Sequence, residues 1–232
     1  MNEEINPIEM QEVKTDISNI LQRVFGMMMG GLLVTSITSF IVLSNLNLLL
    51  FIADTILLWL IAELIIVFYL SARITKVGAG TGIFAFMLYA IVNGITLSPI
   101  ILMYTYASVG AVFLVTAGMF GGAALYGKFT KKDLTKAGSF FMMALIGLII
   151  AGIVDIFIMN DMFSFIVSIV GIIVFVGLTA YDVQKIRGYA EIMATQDDEN
   201  ITKLVVMGAL SLYLDFINIF LKLLSLMGKR RD

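Results

Sequence analysis

The sequence predicts an all-α polytopic membrane protein with seven transmembrane helices and the C-terminal helix central in the bundle, and three observations predict it. Hydrophobic residues fill 60% of the 232 positions and charged residues 14%, and the mean hydropathy is +1.01, a balance far outside the soluble range. The apolar residues gather into seven runs of about 20, the length that crosses the hydrocarbon core as a helix. The last run also carries an acid and a base. Asp215, Asn218 and Lys222 recur there at helical spacing, and Gly208, Ser211 and Ser225 extend the same row. A carboxylate at bilayer depth costs several kcal/mol unless it meets a partner or water. The row therefore faces other helices, which encloses the last helix.

Taken in order, the chain opens on a polar lead-in, residues 1–22, expected as a cytosolic tail because Ile5, Ile8, Val13 and Ile17 are too scattered to build an apolar stripe. It is acidic, and no cleaved targeting peptide is expected. The membrane domain is expected over 23–228 and a basic tail over 229–232. Within the domain the runs cover about 24–44, 48–70, 80–102, 106–127, 137–158, 163–181 and 204–227. Each is expected to be helical, since backbone groups in lipid must be bonded within their own segment. In the third run Asn93-Gly94 and Ser98-Pro99 interrupt the apolar pattern, and Pro99 is expected to bend the helix near its outer end. In the fourth, Ala117, Gly118, Gly121 and Gly122 form overlapping small pairs that let helix backbones approach.

The connections assign orientation. Arg73 and Lys76 follow the second run, Lys128, Lys131, Lys132 and Lys136 the fourth, and Lys185, Arg187 and Lys203 the sixth. The alternate connections, at 45–47, 103–105 and 160–162, carry no Lys or Arg. Basic connections stay in the cytosol, so the N-terminus is expected there too. Lys229-Arg230-Arg231 leaves two possibilities open: a full seventh crossing puts this tail outside, and a re-entrant one keeps it inside. The net charge of -2 decides nothing, because placement of the cations and not their sum sets topology.

Cysteine and histidine are both absent. That excludes disulfides, thiolate nucleophiles, His-Cys zinc sites, haem held by either residue, and imidazole as a proton carrier. Proton chemistry falls to carboxylates. Asp215 lies about eleven residues into its run, roughly 16 Å deep at 1.5 Å per residue. Asp182 ends the sixth run, where Ser164, Ser168, Gly171 and Thr179 share its face. Two carboxyls that meet in such a setting cannot both ionise cheaply, so they are expected to share a proton and titrate as one unit. The competing readings are a solvated boundary acid beside Lys185 and Arg187 for Asp182, and an internal pair with Lys222 for Asp215. Glu63 is the other deep acid, while Asp54 and Asp155 sit nearer the outer surface. Arg73 is a counter-ion candidate for Asp182 by snorkelling, or simply a flanking cation. Glu63, Arg73, Asn218 and Lys222 are thus the candidates for pore lining or charge pairing.

Several ordered stretches resemble one family. Gly94-Ile95-Thr96-Leu97-Ser98-Pro99, Thr116-Ala117-Gly118-Met119-Phe120, Lys131-Lys132-Asp133-Leu134, Leu178-Thr179-Ala180-Tyr181-Asp182 with Gln184-Lys185-Ile186, and Ser211-Leu212-Tyr213-Leu214-Asp215-Phe216-Ile217-Asn218 look like the Bax inhibitor-1 family, in its bacterial form. The resemblance covers about 24–227. It implies a multi-pass protein of the cytoplasmic (inner) membrane, a seven-helix fold around the last helix, and a calcium leak gated by pH. It also implies that the acids of the Tyr-Asp and Leu-Asp-Phe motifs, here Asp182 and Asp215, form the pH-sensing pair. Arg73 matches the family's arginine after the second helix only with a one-residue slip. The linker holding Asp197-Asp198-Glu199 is longer than in some bacterial members and reads as a solvated loop.

The expected function is therefore a pH-sensitive calcium (cation) leak channel gated by a shared-proton Asp pair, and not an enzyme. Two or three carboxylates fall short of the 6–8 oxygens of a tight calcium site, which suits weak, transient calcium on Asp182 and Asp215. Calcium is the permeant ion, and no cofactor is expected. One alternative is a regulatory membrane protein that binds a membrane protease or another partner through its loops. A less favoured one is an intramembrane aspartyl protease, whose chemistry also uses two acids on adjacent helices. Such enzymes carry Gly-x-Gly-Asp at the second acid, whereas Asp215 follows Leu212-Tyr213-Leu214. The expected partners are the lipid bilayer and calcium ions, with no nucleic acid.

Overall fold

The computed structural model describes residues 7–74, 76–158, 160–193 and 197–231. Its helices are α1 (Pro7–Leu43), α2 (Leu46–Asp54), α3 (Ile56–Arg73), α4 (Ala79–Leu102), α5 (Tyr106–Phe129), α6 (Thr135–Ile158), α7 (Asp161–Met193) and α8 (Asp198–Met227). Seven of them are long and apolar enough to cross a membrane, so the chain is an all-α multi-pass membrane protein.

The last helix is the hub. In its most apolar stretch 72% of residues are buried, against 6% in α3 and 11% in α6. It packs against α1, α4, α5 and α7, while α3 leans on α4 and α6 on α7 at the periphery. Leu212, Tyr213, Ile219 and Leu224 are closed off completely. Lipid is as apolar as these side chains, so what holds such a hub is close packing and internal polar bonds.

Close packing is achieved by glycines other than those of the small-residue stripe in α5. A Cβ at Gly118, Gly121 or Gly122 would meet nothing within 4 Å, so these glycines make no close helix crossing among the described residues. Later in the same helix, a Cβ at Gly127 would run into the backbone of Ala180 on α7. Gly94 plays the same part between α4 and α1, where a Cβ would stand 2.6 Å from Thr35 O.

The second apolar run is two helices. Asn45 caps α2 by accepting from Leu48 N at 3.2 Å, and Thr55 ends it. The Thr55 hydroxyl donates to Phe51 O at 2.7 Å and accepts from Trp59 Nε1 at 3.2 Å. A threonine that bonds its own backbone in this way competes with the helical ladder. The short α2 spans nine residues, and α3 carries the crossing.

Three helices outrun their apolar runs at one end. The polar lead-in is helical from Pro7, and Ile20, Leu21 and Val24 of α1 are buried. On α7 the buried Val183, Ile186 and Ala190 continue the helical period past Asp182. The acidic stretch starts α8, with Asp197 at the cap and Asp198 and Glu199 in the first turn, where the helix dipole favours them. Arg23 bonds Asp198 Oδ1 at 2.8 Å and Thr202 Oγ1 at 2.7 Å, tying α1 to α8.

At the other end α8 completes its passage and the tail turns back onto the α4–α5 connection. Thr105 N donates to Lys229 O and Arg231 N to Met103 O, both at 2.9 Å, around an antiparallel bridge between Tyr104 and Arg230. The last helix is one continuous helix, long and apolar enough for a full crossing. Its basic tail lies beside the connection that carries no Lys or Arg.

Candidate functional site

The polar row of α8 lies along α7 and forms a seam. Asp215 is 5% exposed, and its Oδ2 has no hydrogen-bond partner among the described residues. Thr179 of α7 stands beside the carboxyl but gives its hydroxyl hydrogen to Phe175 O at 2.8 Å. Leaving a buried polar atom unpaired costs about 1–3 kcal/mol, and an isolated ionised carboxylate far more.

Asp182 of α7 borders the same seam, lining a cleft with Ser211, which precedes Asp215 by one turn of α8. Ser211 and Lys185 flank Asp182. With Ile186, Tyr189, Met207 and Gly208, these residues line this cleft of about 60 Å³, which exceeds the ~10–15 Å³ that one water needs. Gly208 makes the narrow crossing possible, since a Cβ there would stand 3.1–3.2 Å from Ile186 and from Val24 of α1. Asp182 therefore lines a cleft at the α7–α8 seam, while Asp215 lies buried outside that cleft, one helical turn beyond Ser211.

Of the other sequence candidates, Arg187 is turned away from Asp182: it donates to Lys128 O at 2.8 Å and bonds Glu191 at 3.1 Å. Arg73 is exposed at the end of α3 and makes no ion pair among the described residues. Asn218 spends its amide on Leu214 O of its own helix at 2.8 Å. Lys222 lies against Gly171 of α7, where a Cβ would stand 3.2 Å from its stem. Lys222 makes no ion pair with Asp215 or with any other acid among the described residues, and Asp155 of α6 accepts from Ser164 at 2.6 Å. Among the described residues, the pair of acids thus has no intramembrane cation bonded to it.

Glu63 belongs to a second polar cluster on the far side of α8. Its Oε1 accepts from Tyr89 at 3.2 Å and from Asn93 Nδ2, and its Oε2 from Thr96 at 2.9 Å. Tyr213 donates to Asn93 Oδ1 at 2.9 Å and sits 2.6 Å from Thr35 Oγ1. The cluster links α1, α3, α4 and α8, with both Glu63 oxygens satisfied, and the structure does not bring Glu63 to Asp182 and Asp215. Tyr213 and Thr35 were not legible as site residues, although the position of Tyr213 two residues before Asp215 puts it on the opposite face of any helix.

A further tie explains the Lys131-Lys132-Asp133-Leu134 stretch. Gln184 of α7 accepts from Leu134 N and donates to Lys132 O, both at 2.8 Å, which pins the α5–α6 connection two residues beyond Asp182.

Comparison with known proteins agrees with these motifs. The family model described as "Inhibitor of apoptosis-promoting Bax1" matches residues 17–232. The chain is 43% identical over 221 residues to Inner membrane protein YbhL of Escherichia coli K12, covering 94% of each chain. It is 38% identical over 232 residues to an uncharacterized protein of Borreliella burgdorferi, covering 97% of this chain and 99% of the other. An uncharacterized protein of Deinococcus radiodurans is 35% identical over the full length of both. With the family's motifs placed on the seam and hub of a seven-span helical bundle, the chain belongs to the Bax inhibitor-1 family.

Proposed function

We propose that this protein is a pH-gated cation leak of the bacterial cytoplasmic membrane, with calcium as the permeant ion and Asp182 and Asp215 as the gate. The observation that carries the reading is the buried Asp215 oxygen without a partner, set beside a second carboxyl at a water-sized cleft. A single proton shared by the two acids satisfies the orphaned oxygen and removes the repulsion. With that proton the α7–α8 seam is closed; a change in proton count leaves the seam with mutual repulsion or a lost bond, and the helices part. Calcium passing through meets two carboxylates, enough to strip part of its water and too few to hold it.

The name of the Escherichia coli relative supports placement in the inner membrane. The distribution of Lys and Arg among the connections supports a cytosolic N-terminus, with the Asp182 cleft facing the cytosol. We assign the pair no bond-breaking chemistry, because the cleft beside Asp182, at about 60 Å³, has room for water and not for a peptide.

The test is purified protein in calcium-loaded vesicles, with efflux read against pH. The reading expects flux from the protein alone, with a midpoint that moves in Asp215→Asn. Absence of flux from folded protein would favour the alternative, a regulatory membrane protein acting through a membrane protease or another partner.

A further inference from the structure

Between α1, α4, α5 and α8 lies a groove of about 350 Å³. Leu32, Leu43, Leu97, Val109 and Phe113 form its walls, and Phe216, Ile217 and Phe220 of the hub helix form its floor. The hydroxyls that border it are already spent on helix carbonyls: Thr35 on Ala90 O at 2.9 Å, Ser36 on Leu32 O at 2.8 Å and Ser39 on Gly94 O at 2.7 Å. The lining therefore behaves as hydrocarbon. At the rim, Phe40 and Tyr106 are 72% and 61% exposed, so the groove opens sideways where lipid tails run.

The end of this groove is basic. Tyr106 lines it, and the Arg231 guanidinium carbon sits 4.3 Å from the centre of that ring. The tail is fixed there by its bridge to the α4–α5 connection and by Lys229 N donating to Ser108 Oγ at 2.8 Å. Lys229, Arg230 and Arg231 are all exposed, and none forms an ion pair among the described residues. Cations beside a membrane surface attract anionic headgroups, and guanidinium takes a phosphate with two parallel bonds.

We infer that the groove and the basic tail together form a binding site for one anionic diacyl phospholipid, with an acyl chain in the groove and the phosphate on Arg230 and Arg231. The inference rests on membrane placement and not on the leak reading. Its consequence is that the bound chain lies against Phe216 and Ile217, the two residues that follow Asp215 on the hub helix.

The test is native mass spectrometry of the intact chain in detergent, with phosphatidylglycerol or phosphatidylcholine of identical acyl chains added. The expected result is about fivefold or greater preference for phosphatidylglycerol, the factor one basic residue supplies at an anionic surface. Arg230→Gln/Arg231→Gln, a change at two exposed positions, should remove the preference while phosphatidylcholine binding persists. Gly110→Leu should weaken both lipids, because Gly110 lines the groove and nothing stands within 4 Å of a Cβ there. Equal binding of the two lipids, a preference that survives the double substitution, or binding untouched by Gly110→Leu would each overturn the site. So would occupation by a second copy of the chain, seen as doubled mass with loss of lipid.

Discussion

Tyr213 donates its hydroxyl hydrogen to Asn93 Oδ1 at 2.9 Å, from the side of α8 turned away from Asp215. Two residues along a helix are about 200° apart around it, so the hub presents one polar face to α7 and another to α1 and α4. The Tyr213 face is fully bonded and dry, which marks it as a structural staple. Tyr213→Phe should therefore cost about 1–2 kcal/mol, the net worth of a buried bond plus the partner left unpaired. It should leave the pH midpoint of calcium efflux in place. Thermal unfolding in detergent and vesicle efflux measured on the same protein check both parts, and a midpoint shift as large as that of Asp215→Asn would join the two faces into one device.

The glycines of α5 divide into one that packs and several that do not. Gly127→Val drives a side chain into the backbone of Ala180, and backbone cannot rotate away. Overpacking of this kind costs about 1–3 kcal/mol or more. Gly118→Ala, with open space at its Cβ, should be neutral or slightly stabilising, since alanine favours helix by up to about 1 kcal/mol. The check is the unfolding temperature of each variant in the same detergent; equal losses would contradict the assigned crossing.

Outside the membrane, Asp133 accepts from the Thr135 hydroxyl at 2.6 Å and from Thr135 N at 2.8 Å, where α6 begins. These bonds, the hydroxyl's first, hold its carboxyl below the usual aspartate range. A folded pKa below the unfolded one means that the bond contributes fully above about pH 3.9, the unperturbed value, and is lost as pH falls through the folded value. The protection of the Thr135 amide, its exchange rate compared with the intrinsic rate at the same pH, should therefore fall on acidification below that value. In Asp133→Ala the protection should be low already at neutral pH and show no such step.

Much of this was legible because a membrane makes polar residues conspicuous. Asp215 and Asp182 stood out against Leu, Ile and Phe, and the structure does bring their helices together. The break at Thr55 was hidden because both sides of it are equally apolar, and only the hydroxyl's bonds reveal the competition. The extension of α1, α7 and α8 was missed because a hydropathy run ends where water begins, whereas Val183, Ile186 and Ala190 keep the helical period without forming a run. Glu63 read as a pore acid on depth alone; its three donors come from α4, and no pattern along α3 contains them.

The most direct test of the shared-proton gate compares Asp182→Asn, Asp215→Asn and the double variant in calcium-loaded vesicles, reading the midpoint of efflux against pH. If the two acids act as one unit, each single substitution moves the midpoint and the double moves it little further than the larger single, because the unit is already broken. Shifts that simply add, or a midpoint that Asp182→Asn leaves untouched, would contradict the shared proton even if calcium still leaks.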